Sequence, residues 1–363
     1  MSQMLLSLGL MSGTSLDGVD AALILTDGEG IGHFGPSLTR PYPEDLRTAM
    51  RSLLGGQGPV EAVEKAMTEF HVATVAALLE KAGVPPEMVD VIGFHGHTIL
   101  HQPREKLTWQ IGDGALLARL TGIPVVNDLR SADVAAGGQG APLVPVFHAA
   151  LAADLERPLA VLNLGGVGNV TWIGEDGSLL AFDTGPGNAL IDDWALQHTG
   201  EPLDRDGALA AAGDVDQAAV VAFLEHAFFA KLPPKSLDRD DFAALAARLV
   251  AGAEVEDGAA TLTVFTVASA AEAARQFPQA PKRWLVCGGG RRNPVIMAGL
   301  EKALGVPVQP VDGEGWDGDA LEAQAFAFLA VRSLRGLPLS FPGTTGVPVP
   351  QVGGKLHEKS PAG

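Results

Sequence analysis

The chain has 363 residues, 47% of them hydrophobic, and a formal net charge of −18, enough length and apolar content for a large core split between two or more domains. The acidic balance argues against nucleic acid and anionic membranes as partners, because both recruit clustered Lys and Arg. A single cysteine, Cys287, excludes a disulfide framework and a cysteine-rich zinc site, and the absence of a basic n-region before the first apolar run argues against a signal peptide, so a cytoplasmic protein is expected.

The opening stretch from Leu5 to Leu25 reads as a strand, a small-residue turn Ser12-Gly13-Thr14-Ser15, the step Leu16-Asp17-Gly18, and a second strand from Val19. Glycine removes the Cβ that keeps a ligand off the backbone, and the hydroxyls of Thr14 and Ser15 add donors, so this turn is a place to hold phosphate. It is a hairpin and not a P-loop, since no GxxxxGK[ST] occurs in the chain.

Ile31 to Thr39 reads as a third strand, and Pro43 to Leu54 and Val60 to Lys81 as helices, the second stopped by Gly83, Pro85 and Pro86. Val89 to Phe94 is a buried-type strand running into His95-Gly96-His97. Leu107 to Ile111 is another, followed by a helix to Leu120 and the strand Pro124 to Asn127. Asp128 to Val146 is loop-rich, then helical through Ala153. The crossing between domains is expected here, with residues 1–140 forming one domain joined by about 335–353, residues 141–334 a second, and 354–363 a disordered tail.

The second half repeats the pattern. Strand Leu159 to Leu164 meets the turn Gly165-Gly166-Val167-Gly168-Asn169 and a strand to Ile173, as the opening hairpin does, which suggests a duplicated α/β core. Leu179 to Phe182 enters Asp183-Thr184-Gly185-Pro186-Gly187-Asn188 and a helix to His198. Alanine-rich helices fill Asp206 to Val250 and Gly258 to Gln276. A strand then ends in Cys287-Gly288-Gly289-Gly290, and Asp319 to Leu334 is the last strong helix.

Two GxGxxG matches, Gly30-Gly32-Gly35 and Gly313-Gly315-Gly318, are decoys: one leads into a strand, the other is crowded by Glu314, Asp317 and Asp319. His97 and His101 have the i, i+4 spacing of a helical metal pair, but Gly96, Thr98 and Ile99 favour a strand or loop, where substrate hydrogen bonding is the first reading and metal ligation the second. Asp183, at the end of an apolar strand before a glycine turn, is either a proton acceptor at a cleft edge or a helix cap. Glu322 either reaches a polar ligand or lies on an exposed helix face.

The segments GLMSGTSLDGVDAAL, FHGHT, DLRSADVAAGGQGAPLVP, NLGGVGN, FDTGPGN, CGGGRRNP and DALEAQAFA, in this order between Leu5 and Gly346, resemble the bacterial anhydro-N-acetylmuramic acid kinases. That family belongs to the actin, hexokinase and acetate kinase superfamily, and the resemblance implies two ribonuclease-H-like domains with ATP in the cleft between them. It implies that Gly13, Thr14, Ser15, Leu16, Asp17, Gly18, Val19 and Asp20 form a first phosphate loop and Gly165, Gly166, Gly168 and Asn169 a second, with Gly288, Gly289 and Gly290 near the adenosine. Asp17 would be the indirect Mg²⁺ partner.

The implied reaction opens 1,6-anhydro-N-acetylmuramic acid with water while phosphorylating O6, giving N-acetylmuramic acid 6-phosphate and ADP in peptidoglycan recycling. Asp183 matches the general base, and His97, Asp128, Arg130 and Glu322 fall in segments placed around the sugar. Arg130 suits the lactyl carboxylate, which a guanidinium grips in a planar fork. A homodimer is the candidate assembly. The rival readings are a metal-dependent enzyme of the same superfamily using His97 and His101, and a non-catalytic actin-like nucleotide-binding protein.

Overall fold

A computed structural model describes residues 3–13 and 16–359; the expected contributions of Thr14 and Ser15, and the end of the tail from 360, lie outside the described residues. The first unit holds the strands β1 (Leu5–Met11), β2 (Gly18–Thr26), β3 (Ile31–Pro41), β4 (Val91–Phe94), β5 (His97–Gln102), β6 (Leu107–Ile111) and β7 (Val125–Asn127). The second holds β8 (Leu159–Leu164), β9 (Val167–Ile173), β10 (Leu179–Pro186), β11 (Trp284–Cys287) and β12 (Val308–Pro310), and β13 (Lys355–His357) returns to the first.

In the first unit β1 pairs antiparallel with β2 and β2 with β3, while β1, β4 and β7 run parallel, giving the order β3-β2-β1-β4-β7. The second unit repeats it: β10-β9-β8 is an antiparallel meander and β8, β11 and β12 run parallel. The duplication suggested by two glycine turns is therefore a repeat of one five-strand order. Each turn sits in the equivalent connection, between the first two strands of its sheet.

Both faces of the first sheet are covered, so β1 reads as a nearly continuous apolar run and lacks strict alternation. Leu8, Leu10 and Val19 join Met67, Val75 and Leu78 of the helix Val60–Ala82 in one core. The opposite face receives the helix Leu321–Leu334 at very short range. A Cβ on Gly9 would lie 1.8 Å from the Ala323 carbonyl oxygen, and one on Gly93 2.0 Å from that of Phe326. Ser7 donates from Oγ to the Ala327 carbonyl at 2.8 Å.

That close approach corrects the expected domain limits. The helix Leu321–Leu334 belongs with the first unit, which runs to Asp154 and resumes at Ala320, and Leu155–Asp319 form the second. Phe147, in the helix Pro145–Leu151, packs on Phe328 with ring centroids 5.4 Å apart, which is why the first unit continues past residue 140. The expectation of disorder from 354 is also corrected, because β13 adds an antiparallel edge to β7 and His357 Nε2 bonds the Asn127 side chain at 2.9 Å. In the second unit a phenylalanine cluster supplies much of the core, with Phe223 stacked on Phe265 at 4.1 Å. Among the described residues no single helix is long and apolar enough to cross a membrane.

Candidate active site

The first-unit turn begins where β1 ends. Leu16 takes a left-handed conformation, φ 61°, with its N–H bonded to the Gly13 carbonyl at 3.1 Å. Leu16 and Val19 bury their side chains, so what they can offer a ligand is backbone. Asp17 is exposed, whereas Asp20 accepts a 2.5 Å hydrogen bond from Thr39 across to β3. The glycine at 18 is dictated by packing: a Cβ there would meet the Arg40 carbonyl at 2.3 Å.

Behind this turn lies a buried polar cluster. Tyr42 donates to Ser12 Oγ at 2.8 Å, and Ser12 Oγ lies 3.1 Å from His97 Nδ1. His97 is fully buried and burial lowers its pKa to about 4. His101, four residues on, is exposed and bonds Thr108 at 2.9 Å. The two imidazoles therefore occupy different environments on one strand, and among the described residues no three His, Cys, Asp or Glu side chains gather as a metal site.

Arg130 follows β7. It donates from Nε and Nη2 to His95 Nε2 at 3.2 and 3.0 Å and from Nη1 to the Gly140 carbonyl at 2.7 Å. Burial lowers its pKa to about 10 against the opposing pull of Glu322 and Asp133. Glu322 is half-buried near that guanidinium, so the exposed-face alternative does not apply to it. Asp128 is exposed with φ 50° and lines a separate groove beside Ser333 and Gly353 to Lys355. Asp133, which sequence reasoning passed over, ties this loop down: its buried carboxylate accepts from Gly140 N–H, Thr345 and Ser340, the first two at 2.6 Å.

In the second unit Asp183 stands opposite Asn169 across β9 and β10, where the register slips between Asp183 and Gly185. Burial raises its pKa to about 7, opposed by the Leu237 N–H that donates to Oδ2 at 2.8 Å. Asp183 does not cap the next helix; Asn188 occupies that position. The alanine-rich region, without a motif of its own, supplies this carboxylate's wall. Lys235 is buried with Nζ over the Phe228 ring at 4.6 Å, and its carbonyl accepts the Asp183 N–H at 3.0 Å.

The second glycine turn and Gly288–Gly290 come together in this unit. Asn188 donates from Nδ2 to the Leu164 carbonyl and from its N–H to the Gly165 carbonyl, and a Cβ on Gly290 would touch Leu164 and Asn188. Packing demands glycine at 168, where a Cβ would meet Thr184 at 2.7 Å, and at 288, where it would meet Asn163 at 2.4 Å. It makes no such demand at Gly165, whose nearest neighbour would be 3.8 Å away, or at Gly289. Arg291 pins the Gly288 carbonyl at 3.0 Å while pairing with Asp312 and Asp319, which absorbs acidic charge beside the decoy glycine motif.

The anhydro-N-acetylmuramic acid kinase family model matches residues 5–359. The anhydro-N-acetylmuramic acid kinase of Paramagnetospirillum magneticum is 66% identical over 353 residues, covering 97% of this chain and 99% of that protein. That of Rhodospirillum rubrum is 59% identical over 354, covering 96% and 93%. The chain belongs to the anhydro-N-acetylmuramic acid kinase family. The features just described, a half-buried arginine with neutral partners and a half-buried carboxylate at a strand slip, are thus features of an anhydro-sugar kinase chain. The sequence marked both residues but not these contacts: His95, which Arg130 bonds, and Leu237, which bonds Asp183, lie 35 and 54 residues away in sequence.

Proposed function

We infer that this chain transfers the γ-phosphoryl group of ATP to 1,6-anhydro-N-acetylmuramic acid, with water opening the anhydro bridge, to give N-acetylmuramic acid 6-phosphate and ADP in cell-wall recycling. The observation that carries the chemistry is Asp183. One carboxylate oxygen is fixed by the Leu237 N–H, and a pKa raised to about 7 suits a group that accepts a proton near neutrality. Asp183 takes a proton from the water that attacks the anomeric carbon. The anomeric C–O6 bond breaks, and the freed O6 takes the phosphoryl group as the bond to ADP breaks.

ATP is held by backbone N–H groups of the Gly13 to Asp20 turn and of Gly165 to Asn169, with Gly288 to Gly290 beside the adenosine. At Gly165 and Gly289 a Cβ would make only ordinary contacts, so packing does not explain the glycines, which supports this assignment. Exposed Asp17 suits a water-mediated Mg²⁺ partner, and the ion supplies charge neutralisation for the transferring phosphoryl group. The sugar meets His97, Arg130 and Glu322 from the first unit, with Arg130 on the lactyl carboxylate; Asp128, on its separate groove, is the outlying member of that set. A cytoplasmic location fits a chain whose single cysteine, Cys287, is buried and forms no disulfide. An ADP-release assay with Mg²⁺, ATP and a panel of anhydro and ordinary amino sugars tests the reading. Turnover on the anhydro sugar is expected, and no ADP above background with it would refute the assignment.

A further inference from the structure

Arg130 is a half-buried cation whose hydrogen bonds all end on neutral acceptors, His95 Nε2 and the Gly140 carbonyl. The carboxylates of Glu322 and Asp133 act on it through space. A guanidinium only donates, so His95 Nε2 has to be a lone pair, and Nδ1–H donates to the Gly96 carbonyl at 2.9 Å. The ring is thereby held uncharged in one tautomer. Its face rests on Phe326 with centroids 4.6 Å apart, on the helix that Gly93 lets approach the sheet.

Of five guanidinium N–H groups three are engaged, which leaves one on Nη1 and one on Nη2 as donors for a carboxylate. A carboxylate in place of His95 would neutralise the arginine permanently. A neutral imidazole fixes its plane without adding a negative charge of its own, so the guanidinium keeps its attraction for an incoming anion.

We propose that His95 is a positioning residue that aims Arg130 at the substrate's carboxylate and so sets the preference for acidic over uncharged anhydro sugars. This rests on the reading that the lactyl group meets Arg130. The test compares kcat and KM of the full chain on 1,6-anhydro-N-acetylmuramic acid and on 1,6-anhydro-N-acetylglucosamine, which lacks the lactyl group. Wild type favours the acidic sugar, and Arg130→Gln abolishes the preference. His95→Phe, which keeps the ring packing and removes the acceptor, lowers the preference about tenfold through KM, the size of one lost hydrogen bond to a charged group.

His95→Gln, whose amide oxygen can accept, retains most of the preference. If His95→Phe does not fold, His95→Asn, too short to reach, carries the same tenfold expectation. Equal losses on both sugars, or an unchanged preference, in a folded His95 variant would overturn the proposal while leaving the Arg130 reading intact. A wild type without preference, or an Arg130→Gln that keeps it, would remove the Arg130 reading and this proposal with it.

Discussion

Burial acts in opposite senses on the two sheets that share one strand order. Behind the first glycine turn it strips protons from imidazoles, holding His71 and His97 at about 4 and His95 well below the ordinary value. Beside the second it keeps a proton on a carboxylate, raising Asp183 to about 7. The same scaffold therefore presents neutral imidazoles and a guanidinium held by neutral acceptors in one copy, and a carboxylate held near neutrality in the other. Strand order decides where a side chain is offered; the surrounding charges and hydrogen bonds decide what it can do.

The largest way to break this contrast is to remove the base. Asp183→Asn keeps an oxygen for the Leu237 N–H, so the fold survives and kcat falls by about 10² or more, the usual share of a general base. The same variant should melt higher than wild type at pH 8, where wild type holds a desolvated charge, and by a smaller margin at pH 5. The sign follows because a native pKa of about 7 exceeds the unfolded value of 3.8: the unfolded chain loses this proton first, so the cost to wild-type stability grows from pH 3.8 to about 7, is full above that, and vanishes below 3.8. Melting curves at the two pH values check it.

A second break concerns the first unit's framework. Asp133→Ala removes an acceptor from Gly140, Ser340 and Thr345 and should cost about 3 kcal/mol in denaturant unfolding, the upper range for hydrogen bonds to a charged group. Because Gly140 also accepts from Arg130, KM for the sugar should rise in any folded remainder. Smaller in stability but sharper in meaning is the pair Gly165→Ala and Gly168→Ala. The first has room and should fold normally while raising KM for ATP; the second meets Thr184 and should destabilise by about 1–3 kcal/mol, as overpacking does. Equal stability losses in the two would remove the argument that Gly165 is glycine for a ligand's sake.

The smallest effect is acid lability confined to one unit. His71 and His97 have native values of about 4, below the 6.5 of free imidazole, so the unfolded chain binds more protons as pH falls. Stability that these residues lend above pH 6.5 is lost between there and about 4. Hydrogen exchange at pH 5 and 7.5 should show protection falling first in the first unit's sheet.

Much of this was legible in the chain itself. Glycine turns between apolar runs marked both hairpins, and the order of the motifs pointed to the family. What stayed hidden depends on distance in sequence. The helix Leu321–Leu334 reads as part of the second half until Gly9 and Gly93 are seen to admit it to the first sheet. The short edge strands β12 and β13 have three residues each, too few for a period to register, and β13 is recognisable only through its pairing with β7. Asp183 was visible at its strand end, but Lys235 and Leu237 sit in a stretch whose composition says only helix. The His95–Arg130 contact joins two loops that no local pattern connects.

The most direct test of the account is the pH dependence of kcat/KM for the anhydro sugar. With Asp183, whose pKa is raised to about 7, as the proposed base, the wild-type rate is expected to fall about tenfold per pH unit below neutrality, following the ionised fraction, and the residual rate of Asp183→Asn to lose that dependence. A wild-type profile flat from pH 8 down to 5, or an Asp183→Asn profile with the same acid limb, would contradict the assignment of Asp183.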